Sequence, residues 1–375
     1  MYTEHGWIAN NAQEVKSVVS VPVYAIGRIN DTRVANAIIK SGKADMVAMG
    51  RQSIADPETP NKAAAGCFAD IRTCVGCLHG CDANVNLEQS GTCELNPIIG
   101  HESEAEYQTV MTDSPKNVLV IGAGPAGLEA AIGAAKRGHR VSVYDKDRWV
   151  GGKYRLASVP PCKGELGAFI VWQMHELKKL NVPVILNTVV TKELVDSVKP
   201  DVIIAATGTT PVVPRKIPGW DKDIVVLGTD VLSGKANTGH NVVVVGGGHA
   251  GAETANHIAS YMKNVTIVEL QEDIAMDEVD TPRNALLADL EKNKVRVCAS
   301  TSVSEIKDHS VVVSGKFNEE IECDTVVISI GHTPNTTLAD ELIQAGYDVR
   351  IIGDAVKVGL VGPAVRAGYL TARQI

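Results

Sequence analysis

Large rings are scarce in this sequence: Phe, Trp and Tyr make up 4% of 375 residues, and Phe occurs three times. With 45% hydrophobic residues and 34 glycines, the core has to come from small and branched aliphatic side chains with close turns, the balance of parallel α/β sheets. Positive charge is also in deficit, with 36 Lys and Arg against 44 Asp and Glu. A net charge of −8 is not drawn to nucleic acid or to an anionic membrane surface, which leaves a small-molecule substrate as the expected partner. No apolar run reaches transmembrane length, and Met1-Tyr2-Thr3-Glu4-His5-Gly6 is not a charged segment followed by an apolar one. The expectation is a soluble protein of the reducing cytoplasm. Four cysteines, Cys67, Cys162, Cys298 and Cys323, have no C-x-x-C partner, which argues against a redox-active disulfide and for buried core thiols.

The other four cysteines are gathered. Cys74, Cys77 and Cys81 are spaced C-x2-C-x3-C, and Cys93 follows after a short loop, with Gly76, Gly80 and Gly91 supplying the tight backbone of such a wrap. Four thiolates suit zinc or an iron–sulfur cluster, and the cysteines alone do not choose between them. Free thiols or a disulfide knot would be the plainer reading, but this concentration in a chain without a secretory segment argues for a metal centre. His79, inside the loop, reads either as a cap on a sulfur or as an exposed loop residue.

Upstream, residues 9–20 read as the end of an amphipathic helix, Val21–Ile26 and Ala44–Met49 as short buried strands, and Asn30-Asp31 as the cap of a helix through Ile39. Each strand ends in a Gly-Arg pair, Gly27-Arg28 and Gly50-Arg51. Parallel βα units carry their functional loops at the carboxyl ends of strands, and glycine amides with an arginine fork fit a phosphate. Ordinary strand-end turns with solvated arginines are the alternative. A complete (β/α)8 barrel needs roughly 250 residues, whereas 1–66 precede the cysteines, so the expectation is the last two βα units of such a barrel.

Downstream, Lys116–Ile121 opens a strand that runs into Gly122-Ala123-Gly124-Pro125-Ala126-Gly127, Leu128–Arg137 has helical periodicity, and the strand Arg140–Tyr144 ends in Asp145. This is the dinucleotide fingerprint in its context: Gly122 for the tight turn, Gly124 for close pyrophosphate approach, Gly127 for helix–strand packing and Asp145 for a ribose hydroxyl. The pattern recurs with Asn241–Val245, Gly246, Gly248, Gly251 and, after Val265–Val268, Glu269. Two such units imply two dinucleotides. Val202–Ala206 and Val326–Ile330 read as returns between them, so the second unit is inserted into the first, and Gly353-Asp354 places a carboxylate after another buried strand. The boundaries that follow are 1–66 for the barrel remnant, 67–112 for the cluster segment and linker, 113–235 with 331–375 for the first dinucleotide domain, and 236–330 for the second. His249 and His332 lie beside nucleotide loops and read as incidental. Glu269 can bond both ribose hydroxyls of NADH but would repel the 2′-phosphate of NADPH, and Leu270-Gln271-Glu272-Asp273 offers no cation to offset that; a turn cap is its alternative role.

Over essentially the whole chain these motifs resemble the iron–sulfur flavoenzymes related to old yellow enzyme, the family of 2,4-dienoyl-CoA reductase, trimethylamine dehydrogenase and the 2-enoate reductases. The resemblance implies a [4Fe–4S] cluster on Cys74, Cys77, Cys81 and Cys93, and an FMN-phosphate site at Gly27, Arg28, Gly50 and Arg51. It implies a glutathione-reductase-like pair of Rossmann domains, with FAD at Gly122, Gly124, Gly127, Asp145, Gly152, Gly353 and Asp354, and NAD(P)H at Gly246, Gly248, Gly251 and Glu269. Electrons would pass from NADH through FAD and the cluster to FMN, for reduction of an activated C=C bond. A redox centre rather than a structural zinc has a use there, because flavin accepts two electrons and can release them singly. Most of the family's FMN barrel is expected to lie outside these residues, so the FMN site is only partly represented and no catalytic acid is assigned. Two further readings are an NADH-oxidising module serving a separate catalytic chain and a cofactor-binding fragment that turns nothing over. A homo-oligomer or a partner subunit completing the barrel is the matching expectation.

Overall fold

Val118, Leu119, Val120 and Ile121 are buried in succession, so both faces of the Asn117–Ile121 strand are covered, as an interior strand of a helix-flanked parallel sheet requires. It is the centre of a five-stranded parallel sheet ordered 349–351, 202–205, 117–121, 140–144, 184–185. The Pro125–Lys136 and Val361–Arg373 helices cross closely over it because their contact is made of small residues: a Cβ on Gly368 would overlap the Ala126 carbonyl, and one on Gly133 would stand 2.8 Å from Ala372 Cβ. This sheet belongs to the first of two units into which the computed structural model, which describes residues 1–375, divides: Met1–Gly152, Glu165–Thr207 and Thr336–Ile375.

The same unit holds the amino-terminal segment. Tyr24–Ala25 and Met46–Val47 form a parallel pair joined by the Thr32–Lys40 helix, whose cap Asp31 accepts from the Arg33 amide at 2.8 Å. Strand, helix and strand are where the sequence puts them, but the ladder is two residues long instead of six, since each strand has a partner on one side only. Val21, Tyr24 and Ile26 are exposed there, Tyr24 at 57%. The first helix, Ala9–Lys16, ends four residues before the expected point, with Val18 already in solvent.

The second unit, Lys153–Gly164 with Gly208–Asn335, is built on a parallel sheet ordered 296–298, 264–268, 241–245, 325–328, 225–227. A three-stranded antiparallel sheet, 301–306, 310–315 and 319–322, shares its core through Val303, Ile306, Val311 and Ile321. The expected boundary at 236 is corrected to Gly208, because Val225–Leu227 pairs with Thr325–Ile328 and is a strand of the second sheet. The 153–164 segment joins this unit through Lys163, which is buried with its Nζ 2.5 Å from Glu253 Oε1 and 3.9 Å from Glu278 Oε2. Breaking a buried ion pair from one side costs about 3–5 kcal/mol, so Lys163→Met is expected to lower the denaturation midpoint strongly, whereas an exposed pair such as Lys307–Glu320 should contribute under about 1 kcal/mol. Equal urea midpoints for Lys163→Met and Lys307→Met would contradict this.

Of the cysteines expected in the core, Cys298 and Cys323 are buried and Cys67 and Cys162 are exposed. The first two sit in or beside sheet strands, whereas Cys162 occupies a turn with φ +64 and Cys67 precedes a 3-10 turn. No helix is long and apolar enough to cross a membrane.

Candidate dinucleotide and four-cysteine sites

The Asn117–Ile121 strand delivers the chain into the first glycine loop. Gly122 has φ +109, and a Cβ there would overlap the Ala206 carbonyl; a Cβ on Gly127 would overlap the Gly122 carbonyl. Gly124 differs, with nothing within 4 Å of its Cβ direction. The outer two glycines are thus required by the protein's own backbone, while the middle one leaves open a space that a diphosphate at a helix amino terminus would use. The second loop repeats this: Gly246 at φ +100 lies against the Ser329 carbonyl, Gly251 against the Gly246 carbonyl, and Gly248 has only Asp277 near it, Oδ2 at 3.5 Å.

Each loop is tied to a carboxylate on the next strand. Asp145 Oδ2 accepts from the Ala123 amide at 2.6 Å and Oδ1 from Asp147 at 2.8 Å; Glu269 Oε2 accepts from the Gly247 amide at 2.5 Å and Oε1 from Gln271 at 2.7 Å. Both carboxylates therefore cap a turn and brace the middle of a glycine loop. Each has taken two of about four possible bonds, which leaves acceptor capacity for ribose hydroxyls. Beside the first loop, the Gly151 amide donates to the Ala123 carbonyl at 2.7 Å and Gly152 follows at φ +50. Gly353, at φ +63, packs on Ala126, and Asp354 accepts from the Gly359 amide at 3.3 Å.

His249 is more engaged than its sequence position indicates. As first residue of the His249–Ala259 helix, it donates its amide to Asp277 Oδ1 at 2.7 Å, and its ring Nδ1 lies 2.6 Å from Asp277 Oδ2. Burial works to lower the imidazole, but the Asp277 hydrogen bond and charge outweigh it and the net shift is upward. Asp277 is brought down to about 2 against the opposing effect of burial, by the same partner. Asp277 belongs to no motif, and no local spacing marks it.

The four clustered cysteines line a single pocket, with Arg51, Glu94 and Leu95 among its walls. The wrap is held by polar side chains from the amino-terminal segment: Gln52 Oε1 accepts from the Cys74 amide at 2.7 Å and Asn30 Nδ2 donates to the Cys74 carbonyl at 2.6 Å. Arg72 then closes it, donating to the Ala55 and Leu95 carbonyls at 3.0 Å each and to Asn96 Oδ1 at 3.2 Å. Gly80 is needed where the two arms meet, since a Cβ would lie 2.5 Å from Thr92 Oγ1. His79 is half-buried in the turn His79–Ala83. Burial pushes the Cys74, Cys77 and Cys81 thiols above their ordinary range, and the Leu95 amide points at Cys93 Sγ, 3.4 Å away. Four cysteines around one pocket without a disulfide, three of them with thiols that burial holds against ionisation, fit a site whose negative charge is matched by a bound metal. Glu94, 6% exposed, accepts from the Gly362 amide at 2.6 Å and so fastens the cysteine segment to the first turn of the Val361–Arg373 helix.

The two Gly-Arg pairs go to different neighbours. Gly27, at φ +100, packs on Ile8, and Arg28 follows at φ +52 with its side chain 6% exposed. Its guanidinium meets Glu165 Oε1 at 2.6 Å and donates to the Met1 and Thr3 carbonyls, and Glu165 also takes His5 Nε2 at 2.9 Å. Gly50 opens the Gly50–Ala55 helix, and Arg51 turns to the cysteine pocket. Glu165, far along the chain, is a second residue that no motif announced.

Two glycine loops at strand ends, each braced by its own carboxylate on a parallel sheet, define the class as a protein with two folds of the dinucleotide-binding type. Residues 116–353 match the family model described as pyridine nucleotide-disulphide oxidoreductase, and the chain belongs to that family. Residues 3–69 match the NADH:flavin oxidoreductase / NADH oxidase family model. The chain is 39% identical to an NADH oxidase of Thermoanaerobacter brockii, over 99% of this chain and 58% of that protein. It is 35% identical to a cinnamate reductase of Clostridium sporogenes, over 100% of this chain and 56% of that protein. Among solved structures, a 2-naphthoyl-CoA reductase in complex with 2-naphthoyl-CoA superposes with TM-score 0.96 at 31% identity, covering 100% of this chain and 57% of that one. The chain therefore spans under three-fifths of the length of these relatives. The two family models and these relatives agree with the family that the motifs resemble.

Proposed function

We propose that the chain is the electron-input part of an NADH-dependent flavin and iron–sulfur oxidoreductase that reduces an activated C=C bond. The observation that carries this reading is the braced glycine loop of the first unit, in the same unit as a pocket lined by four cysteines. When bound, the cofactors would supply hydride acceptance from NADH at FAD, single-electron transfer through a [4Fe–4S] cluster, and delivery at FMN. The residues have separable roles. Gly124 and Gly248 would admit the diphosphates of FAD and NADH, Asp145 and Glu269 would hold the ribose hydroxyls, and Gly152, Gly353 and Asp354 would flank the flavin. Cys74, Cys77, Cys81 and Cys93 would hold the cluster. Gly27, Arg28, Gly50 and Arg51 would provide the phosphate end of an FMN site, the rest of which would come from further βα units docked on the exposed Val21, Tyr24 and Ile26, in the same or another polypeptide. A conjugated acid or its thioester is the substrate class favoured by the names of the cinnamate and naphthoyl-CoA reductases.

The nicotinamide choice tests the assignment of the second loop. Glu269 is already anchored by two backbone amides, so it cannot swing away from a 2′-phosphate without losing them. NADH is expected to be preferred over NADPH by at least tenfold, about 1.4 kcal/mol. Stopped-flow reduction of the bound FAD by each nucleotide measures this; equal rates or a preference for NADPH would discard the assignment, and Glu269→Ala should narrow the gap. Turnover with an artificial electron acceptor separates a working input module from an inert cofactor-binding chain.

A further inference from the structure

We propose that Asp277 is a built-in competitor for the diphosphate of the nicotinamide dinucleotide, its carboxylate standing at the second glycine loop where the ligand's anion has to come. This rests on the reading of Gly246–Gly251 as the nicotinamide site. Two observations place it. The first amide of the eleven-residue His249–Ala259 helix donates to Asp277 Oδ1 at 2.7 Å, so the group best oriented to receive a ligand oxygen already has one. Independently, Asp277 Oδ2 and Oδ1 lie 3.5 and 3.6 Å from the Cβ direction of Gly248, the glycine whose missing side chain is what allows a diphosphate to approach. The first loop has no counterpart: the space at Gly124 is clear, and the next residue is Pro125, which has no N–H to offer a carboxylate.

The stretch carrying Asp277 is seated on the loop. The Ala275 amide donates to the Gly247 carbonyl at 2.7 Å, Ile274 fills the Cβ direction of Gly247 at 2.7 Å, and Asp273 is paired with Arg283 Nη2 at 2.5 Å. The backbone thus holds the carboxylate at the loop, while the Asp277 side chain, bonded through both oxygens to His249, is 55% exposed and has room to turn toward water once those bonds are given up. Two anions cannot share one amide and one glycine cradle, so the dinucleotide binds with the carboxylate turned out, against both its lost hydrogen bonds and the repulsion of a nearby like charge.

The test uses the full-length protein with its flavin and compares wild type, Asp277→Asn, Asp277→Ser and, as a control with the same charge change on the same stretch, Asp273→Asn. Binding of NADH and of inorganic diphosphate is measured by calorimetry at low and high salt, and flavin content and circular dichroism report folding. Asp277→Asn is expected to bind both ligands about three- to tenfold more tightly than wild type, with the gain reduced at high salt and little change for Asp273→Asn. Equal or weaker diphosphate binding by both Asp277 variants would make the residue a strut and overturn the inference, as would the same gain in Asp273→Asn, or no diphosphate binding by any protein. If diphosphate behaves as expected while NADH binds no protein, the competitor stands and the nicotinamide reading falls.

Discussion

Cys77→Ser is expected to leave the protein colourless in the iron–sulfur region, without iron or acid-labile sulfide, while FAD stays bound. All four proposed ligands lie between Cys74 and Cys93 in one pocket, so no residue elsewhere is placed to substitute for a lost thiolate. Burial raises the Cys77 thiol, and a serine hydroxyl in that place would be harder still to ionise. The loop around Gly122–Gly127 is built from strand 117–121 and helix 125–136 and shares no backbone with the cysteine wrap. Protein purified without oxygen should carry about four irons per chain. Iron, sulfide and acid-released flavin assays on wild type and variant decide the matter: stoichiometric zinc without iron in the wild type, or full iron in Cys77→Ser, would reject the cluster.

The second large effect separates two glycines three residues apart. Gly127→Ala forces a methyl group into the Gly122 carbonyl, a backbone atom with nowhere to retreat because Gly122 is itself fixed against Ala206. Overpacking of this kind costs about 1–3 kcal/mol, so both FAD content and the melting temperature of the flavin-free protein should fall. Gly124→Ala meets nothing in the protein. It should leave the flavin-free melting temperature within a degree or two of wild type and still lose most of the FAD, because its methyl stands in the ligand's space alone. Full FAD retention by Gly124→Ala would show that this loop does not receive a diphosphate.

The strands at 117–121, 140–144, 241–245 and 264–268 were legible because each couples a buried apolar run to glycines or a carboxylate at a fixed local distance. The same local character made the cysteine wrap readable. What escaped was set by approach through space. The strand Val225–Leu227 joins the second sheet only through Thr325–Ile328, a hundred residues on, so the domain boundary at 236 was misplaced. The antiparallel strands from Thr301 to Glu322 belong to no motif and went unread. The partners that hold Arg28 and His249 could not be read either: Glu165 is 137 residues from Arg28, and Asp277 carries no spacing signal relative to His249.

The contrast between the two glycine loops bears on how long each ligand stays. Both are locked by their own carbonyls and carboxylates, so neither has to be ordered on binding, and uptake should behave as docking into a finished mould. In the first, nothing waits to reclaim the vacated space, and departure has no assistant. In the second, a carboxylate on a short leash is positioned to return to its amide as the ligand loosens, which shortens residence. On the proposed reading the first loop holds a prosthetic group and the second a cosubstrate, which need opposite lifetimes on the protein, and one proline at the first loop and one aspartate beside the second would act in those opposite directions.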